Sequence, residues 1–235
     1  MAKRKMTRAK ARTAKVLVVD DHPVLRQGLA ALIDHTPDLR VCAQTQDAPG
    51  AIAAVRATKP DVVVLDLSLE GGSGLDLLGC LKTTHPELPV LVLSTHDESL
   101  YAERALRAGA RGYIMKERPI PELMAAIHLV LAGEVYLSDK MSSRLVRRAV
   151  RGEPIESASS VAALSNRELE VFELVGKGYD ANEIASRLHL SIKTVHAHRE
   201  NIKRKLNLGS GTELHQQAFM WIQSEPAARE RTTER

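Results

Sequence analysis

The sequence predicts an α/β fold, a doubly wound parallel sheet of five strands, followed by a smaller all-α unit. Three observations carry this. Residues 15–131 alternate five short apolar runs with five helical patterns, the signature of a parallel sheet with crossover helices. The run Val62-Val63-Val64-Leu65 is apolar without a break, as a strand covered on both faces requires. From residue 164 onward helical periodicity returns with no strand signal.

Taken in order, residues 15–20 (K-V-L-V-V-D) read as the first strand, and 22–34 as an amphipathic helix with Pro23 at its first position. Residues 39–45 form the second strand, and 48–57 an Ala-rich helix after Asp47. Strand 61–66 and helix 74–82 follow, then strand 89–94. Helix 98–108 stops at Gly109, strand 111–115 comes next, and helix 120–132 completes the set. Short connections fit the flavodoxin-like strand order 2-1-3-4-5. Residues 138–151 suit one helix capped by Ser138, and the polar run G-E-P-I-E-S-A-S-S reads as a flexible joint. Helices are then expected at 166–176, 181–188 and 192–206, with a short one near 213–222. This divides the chain into a basic tail (1–14), the α/β domain (15–132), a linker with a helix (133–162), the helical domain (163–222) and a charged tail (223–235).

Composition narrows the class. Of the 235 residues 44% are hydrophobic and 26% charged, so a packed core is available. Aromatics reach only 3%, which leaves that core to aliphatic side chains. No apolar run approaches the ~20 residues of a membrane span. The N-terminus has charge without an apolar stretch, unlike a secretory signal. A cytoplasmic location is expected. Cys42 and Cys80 match no metal or redox spacing. The net charge of +4 is local in origin, because residues 1–15 hold seven Lys/Arg and the remainder has 26 basic against 29 acidic groups. That basic tail is expected to be disordered, either idle or adding weak, salt-sensitive nucleic-acid affinity. Gly71-Gly72-Ser73-Gly74 lacks the Gly-Lys-Ser/Thr that a phosphate loop needs.

Strand one ends in Asp20-Asp21 and strand three in Asp66. With order 2-1-3-4-5 these ends meet at the switch in strand order, where open α/β sheets bind ligands. Three carboxylates together repel one another and raise their pKa values. A hard divalent cation such as Mg²⁺ removes that penalty and neutralises an incoming phosphoryl group. Ser94 closes strand four with a hydroxyl, and Lys116 follows strand five with an ammonium. Four of five strands thus end in the parts that an aspartyl phosphate needs.

Residues 15–132 resemble the receiver domains of bacterial two-component response regulators. The likeness rests on V-V-D-D-H-P at 18–23, V-L-D-L-S at 64–68, V-L-S-T at 92–95 and G-Y-I-M-K at 112–116. It implies that Asp66 accepts the phosphoryl group, while Asp20, Asp21 and Asp66 bind Mg²⁺ with the backbone carbonyl of Ser68. It implies also that Ser94 and Lys116 contact the phosphoryl group, and that Tyr113 changes rotamer on activation. Leu69-Glu70 and Glu117 depart from the family, which often has Met-Pro and Pro at those places; the second departure bears on a cis peptide after Lys116.

In the C-terminal unit Ser191 caps a helix on which Val195, Ile202 and Leu206 share one face. Lys193, His196, Ala197, Glu200 and Arg204 share the other, with Lys203 at its flank. Residues 193–205 hold five basic groups and one acid. The short link His189-Leu190-Ser191 to the preceding helix is a helix-turn-helix arrangement, whose second helix enters a major groove. His196 and His198, two apart, point away from each other and form no metal pair. This stretch is similar to the LuxR/NarL-type DNA-binding domain, through L-S-N-R-E at 164–168, N-E-I-A at 182–185, S-I-K-T-V-H-A-H-R at 191–199 and K-L at 205–206. The resemblance implies that His196, Ala197 and Glu200 face base edges and that Lys193, Arg199, Lys203 and Arg204 hold phosphates.

The whole is expected to be a response regulator of the NarL/LuxR class, not an enzyme beyond slow autodephosphorylation. A histidine kinase would phosphorylate it, and double-stranded DNA half-sites would bind a phosphorylated homodimer; no membrane is involved. Two rivals are a Mg²⁺-dependent phosphatase or phosphotransferase on the same sheet, and a DNA-binding regulator indifferent to phosphorylation.

Overall fold

The computed structural model describes residues 13–69, 72–151 and 160–230. Most of the basic N-terminal tail and of the polar joint, together with Glu70-Gly71 and the last five residues, lie outside the described residues. The α/β domain begins with β1 (Ala14–Val19), α1 (Pro23–Asp34), β2 (Leu39–Thr45), α2 (Ala48–Thr58) and β3 (Val62–Leu65). A small antiparallel pair follows, β4 (Ser68–Leu69) with β5 (Gly72–Ser73). Then come α3 (Gly74–Thr84), β6 (Val90–Ser94), α4 (Glu98–Ala108), β7 (Gly112–Met115) and α5 (Ile120–Leu131). Five strands form one parallel sheet in the order β2-β1-β3-β6-β7, which is the predicted 2-1-3-4-5. The β4/β5 pair was not foreseen, because two-residue strands are too short to carry periodicity.

Period-two alternation builds both faces of the sheet. Val16, Val18, Val62, Val64 and Leu91 pack with Ile33 of α1 and Leu123 and Ile127 of α5. Leu17, Val19, Val63, Leu65 and Val92 pack on the other face with Val55, Leu78, Leu81 and Tyr101. Asp47 caps α2, its side chain accepting from Gly50 N–H at 2.7 Å. Gly109, at φ 113°, closes α4 in the left-handed region that glycine tolerates. Among the described residues no peptide bond is cis.

Helix α6 (Asp139–Arg151) starts at Ser138, whose Oγ accepts from Met141 N–H at 3.2 Å. It lies against α4, with Met141 buried and Arg148 paired to Glu103 at 2.6 Å. The helical domain comprises α7 (Asn166–Gly176), α8 (Ala181–Arg187), α9 (Ile192–Leu206) and α10 (Gly211–Glu230). Helix α10 runs eight residues past the expected end at Ile222; Ala227, Ala228, Arg229 and Glu230 are strong helix formers. Each of α7, α8 and α9 ends on a left-handed residue: Gly178, His189 and Asn207. After α8, Leu190 N–H reaches Ala185 O at 2.8 Å and His189 N–H reaches Ser186 O at 3.3 Å. That is the Schellman pattern, and it turns the chain tightly into α9.

Candidate functional site

The sheet order sets β1 beside β3, with Val19 opposite Leu65, so the residues following those two strands are neighbours. Asp66 N–H donates to Val19 O at 2.8 Å and Asp20 N–H to Thr45 O at 3.1 Å, extending the ladder into the acidic edge. Both carboxylates are buried, Asp20 at 2% and Asp66 at 3% exposure. Lys116, delivered by β7, bridges them: its Nζ lies 2.8 Å from Asp20 Oδ2 and 2.7 Å from Asp66 Oδ2. Burial pushes the Asp66 carboxyl up, the Lys116 ammonium pulls it back, and Asp20 adds to the rise; the net direction is upward. Burial pulls Lys116 down, but the two carboxylates outweigh it and hold the ammonium charged.

Asp20, Asp21, His22 and Asp66 each offer one ligand atom, all within 4.8 Å of one another. Asp21 Oδ1 is buried without a hydrogen bond among the described residues, with His22 Nδ1 2.7 Å away. Three carboxylates whose oxygens converge this closely are a donor set for a hard divalent cation. Ser68 stands at the same edge, its N–H donating to Asp66 Oδ1 at 3.2 Å. Ser94, fully buried, accepts at Oγ from His96 N–H at 3.1 Å. Lys116 N–H donates to Ser94 O at 2.9 Å. The Tyr113 ring is fully buried, and its hydroxyl donates to His96 O at 2.8 Å. The structure therefore gathers Asp20, Asp21, Asp66, Ser68, Ser94 and Lys116 at one edge, with Tyr113 one contact behind them.

Sequence reasoning missed a second polar cluster, where α7 of the helical domain meets the α/β domain. Tyr101 OH donates to Glu173 Oε2 at 2.9 Å. His96 Nδ1 lies 3.4 Å from the same oxygen, and its ring stacks on Tyr101 at 4.4 Å. Ser73 Oγ donates to Glu170 Oε1 at 3.4 Å. Arg104 donates to Leu164 O at 2.8 Å and Val161 O at 3.0 Å. Burial alone would push the Glu173 carboxyl up, but His96 and Lys177 hold it down at about 2. Burial pushes Glu170 up, and Arg167 only partly offsets it. A signal existed: E-L-E-V-F-E at 168–173 interleaves acids with apolar residues on a helix. Read alone, such acids belong in water.

On α9, Val195 and Ile202 are buried, while Lys193, His196, Ala197, Glu200 and Arg204 are exposed. Arg199 and Lys203 are half-buried. Ser191 Oγ accepts from Thr194 N–H at 3.0 Å, fixing the helix start. Lys203 Nζ pairs with Glu200 Oε1 at 2.8 Å. The face open to solvent is the one that helical spacing predicts, and the α/β domain does not cover it. His198 is half-buried, and burial lowers its pKa, with Arg167 adding to the effect. Among the described residues no helix is long and apolar enough to cross a membrane.

Residues 16–128 match the family described as response regulator receiver domain, and residues 162–218 the family of bacterial regulatory proteins, luxR family. The chain is 38% identical over 205 residues to the oxygen regulatory protein NreC of Staphylococcus epidermidis (strain ATCC 12228 / FDA PCI 1200), covering 85% of this chain and 94% of that protein. NreC of Staphylococcus aureus (strain JH9) is likewise 38% identical, over 204 residues, covering 85% of this chain and 94% of that protein. Among solved structures, a two-component response regulator of the LuxR family from Aurantimonas sp. SI85-9A1 is 35% identical with a TM-score of 0.55, covering 59% of this chain and 99% of that one. RcsB from Salmonella enterica serovar Typhimurium, bound to promoter rprA, shares the fold at 23% identity and a TM-score of 0.57, covering 87% of this chain and 98% of that one. The acidic pocket on the sheet edge, the helix-turn-helix with its basic face and these relatives agree. The chain belongs to the NarL/LuxR class of two-component response regulators, a receiver domain joined to a LuxR-type DNA-binding domain, and its work is transcription regulation.

Proposed function

We propose that Asp66 is the phosphoacceptor and that a histidine kinase supplies its phosphoryl group. The observation that carries this reading is the Lys116 ammonium shared between Asp20 and Asp66, 2.8 and 2.7 Å away, at the buried edge of the sheet. A carboxylate oxygen of Asp66 forms the new P–O bond as the donor's P–N bond breaks and its imidazole leaves. Asp20, Asp21, Asp66 and the Ser68 carbonyl would hold Mg²⁺, which when bound neutralises the crowded carboxylates and the transferred oxygens. Lys116 keeps one hydrogen bond to the acidic edge and turns another to a phosphoryl oxygen; Ser94 donates its hydroxyl to a second. Tyr113 follows Ser94 through the shared contact with His96, which is the rotamer switch in this reading. Turnover on external substrates is not expected, only slow hydrolysis of the acyl phosphate. The chain works in the cytoplasm.

The DNA-binding domain presents α9 to the major groove. His196, Ala197 and Glu200 face base edges, and Lys193, Arg199, Lys203 and Arg204 meet phosphates. RcsB is described bound to promoter DNA in the presence of a phosphomimetic, and by analogy the phosphorylated chain pairs on two half-sites. Incubation with acetyl phosphate and Mg²⁺ should add one phosphoryl group per chain by intact mass. Asp66→Asn should remove the label and leave the far-ultraviolet circular dichroism unchanged. A label that survives in Asp66→Asn would move the site elsewhere.

A further inference from the structure

His96 touches both the acidic edge and the DNA-binding domain, through separate atoms. Its N–H donates to Ser94 Oγ at 3.1 Å, and its carbonyl accepts from the Tyr113 hydroxyl at 2.8 Å. Its Nε2 lies 3.1 Å from Ser68 Oγ, two residues beyond Asp66. Its Nδ1 lies 3.4 Å from Glu173 Oε2, and its ring stacks on Tyr101, which holds the same carboxylate oxygen at 2.9 Å. With Nδ1–H directed at Glu173, Nε2 is left to accept from the Ser68 hydroxyl, so the carboxylate fixes the ring and the ring fixes the serine. The side chain is 16% exposed and Glu173 6%, so water competes little for these contacts. The DNA-facing side of α9 is open in this same arrangement. The docked receiver thus does not act by covering it.

Building on the assignment of Asp66 above, we propose that His96 is a positioning residue through which Glu173 of the DNA-binding domain holds the surroundings of Asp66 at rest, so that a docked domain weakens phosphoryl occupancy of Asp66. The physical basis is reciprocity. A phosphoryl group on Asp66 recruits the Ser94 hydroxyl, which the His96 backbone N–H now holds, and reorganises the Ser68 turn, which the His96 ring ties to Glu173. If that occupancy loosens the domain contact, the contact must oppose the occupancy by the same free energy. Glu173 then acts on the receiver without touching the acidic edge.

The test is an equilibrium titration of the full chain with beryllofluoride in Mg²⁺, read by fluorine NMR of the bound ion. Glu173→Gln and Tyr101→Phe should each tighten beryllofluoride about fivefold or more, the low end of ordinary coupling between sites. In a His96→Ala background Glu173→Gln should add nothing further. Affinities for both single variants within about twofold of wild type overturn the coupling, since that lies below the usual range. A Glu173→Gln effect that persists undiminished without His96 overturns the assigned route. Tyr101→Phe keeps the ring stack, so it decides the matter if Glu173→Gln fails to fold. Absence of beryllofluoride binding by the wild-type chain would instead remove the phosphoacceptor reading on which this one rests.

Discussion

Gly74 stands where the chain turns back from the acidic edge into α3. A Cβ there would lie 2.4 Å from Asp66 O and 2.5 Å from Leu67 Cα, and neither backbone atom can move without shifting the candidate site. Gly74→Ala is expected to cost about 1–3 kcal/mol of stability, as overpacking does, and to abolish labelling by acetyl phosphate. Gly79, in the same helix with nothing within 4 Å of its Cβ position, is the control. Gly79→Ala should gain about 0.5–1 kcal/mol from helix propensity and label normally. Denaturant melts with parallel labelling check both, and a Gly74→Ala chain that labels like wild type would show the turn to be pliable. Asp66, Asp20, Lys116 and Ser94 were legible as residues because each ends a strand, and strand ends are set by local apolar pattern. The bond between Lys116 and both carboxylates was not, since it joins residues 50 and 96 positions apart.

At the scale of elements, α9 is the clearest case of sequence dictating structure. Its cap, its buried stripe and its polar face all follow from 3.6-residue spacing. The pairing of Glu200 with Lys203 does bear on the DNA reading, because Glu200 both faces outward and engages a cation that the proposed function assigns to phosphate. Glu200→Ala should free Lys203 and relax preference at one base pair, losing about 1–3 kcal/mol of discrimination there. Selection from a random DNA pool at two salt concentrations would measure it. A uniform loss over all sequences would instead place Glu200 outside the groove. The turn before α9 was less legible. His189 takes φ 50°, a left-handed conformation usually left to glycine or asparagine, and nothing local announces it. The Schellman bonds of Leu190 and His189 hold it there.

For the whole molecule, the larger apolar cluster is continuous from the sheet into the DNA-binding domain. Leu65, Leu78 and Tyr101 belong to it together with Leu169, Phe172 and Ile202. Two domains that share a core should melt together. Heating is expected to give one transition that Mg²⁺ displaces upward, by about 2.7 kcal/mol at a hundredfold excess over its Kd. Chelation should reverse the shift, and Asp21→Ala should lose it. Calorimetry showing two transitions, with only one sensitive to Mg²⁺, would mean that the interface is too weak to couple unfolding.

The sequence by itself determined the five-stranded order, the acids and the lysine at its carboxyl edge, and the basic outer face of α9. These follow from short-range periodicity and from where apolar runs stop, which the chain encodes locally. Only the tertiary structure decided that Glu170 and Glu173 are buried against Ser73, His96 and Tyr101. Acids on a helix gain nothing from burial unless donors from elsewhere in the chain reach them, and which donors arrive depends on how the two domains pack against each other.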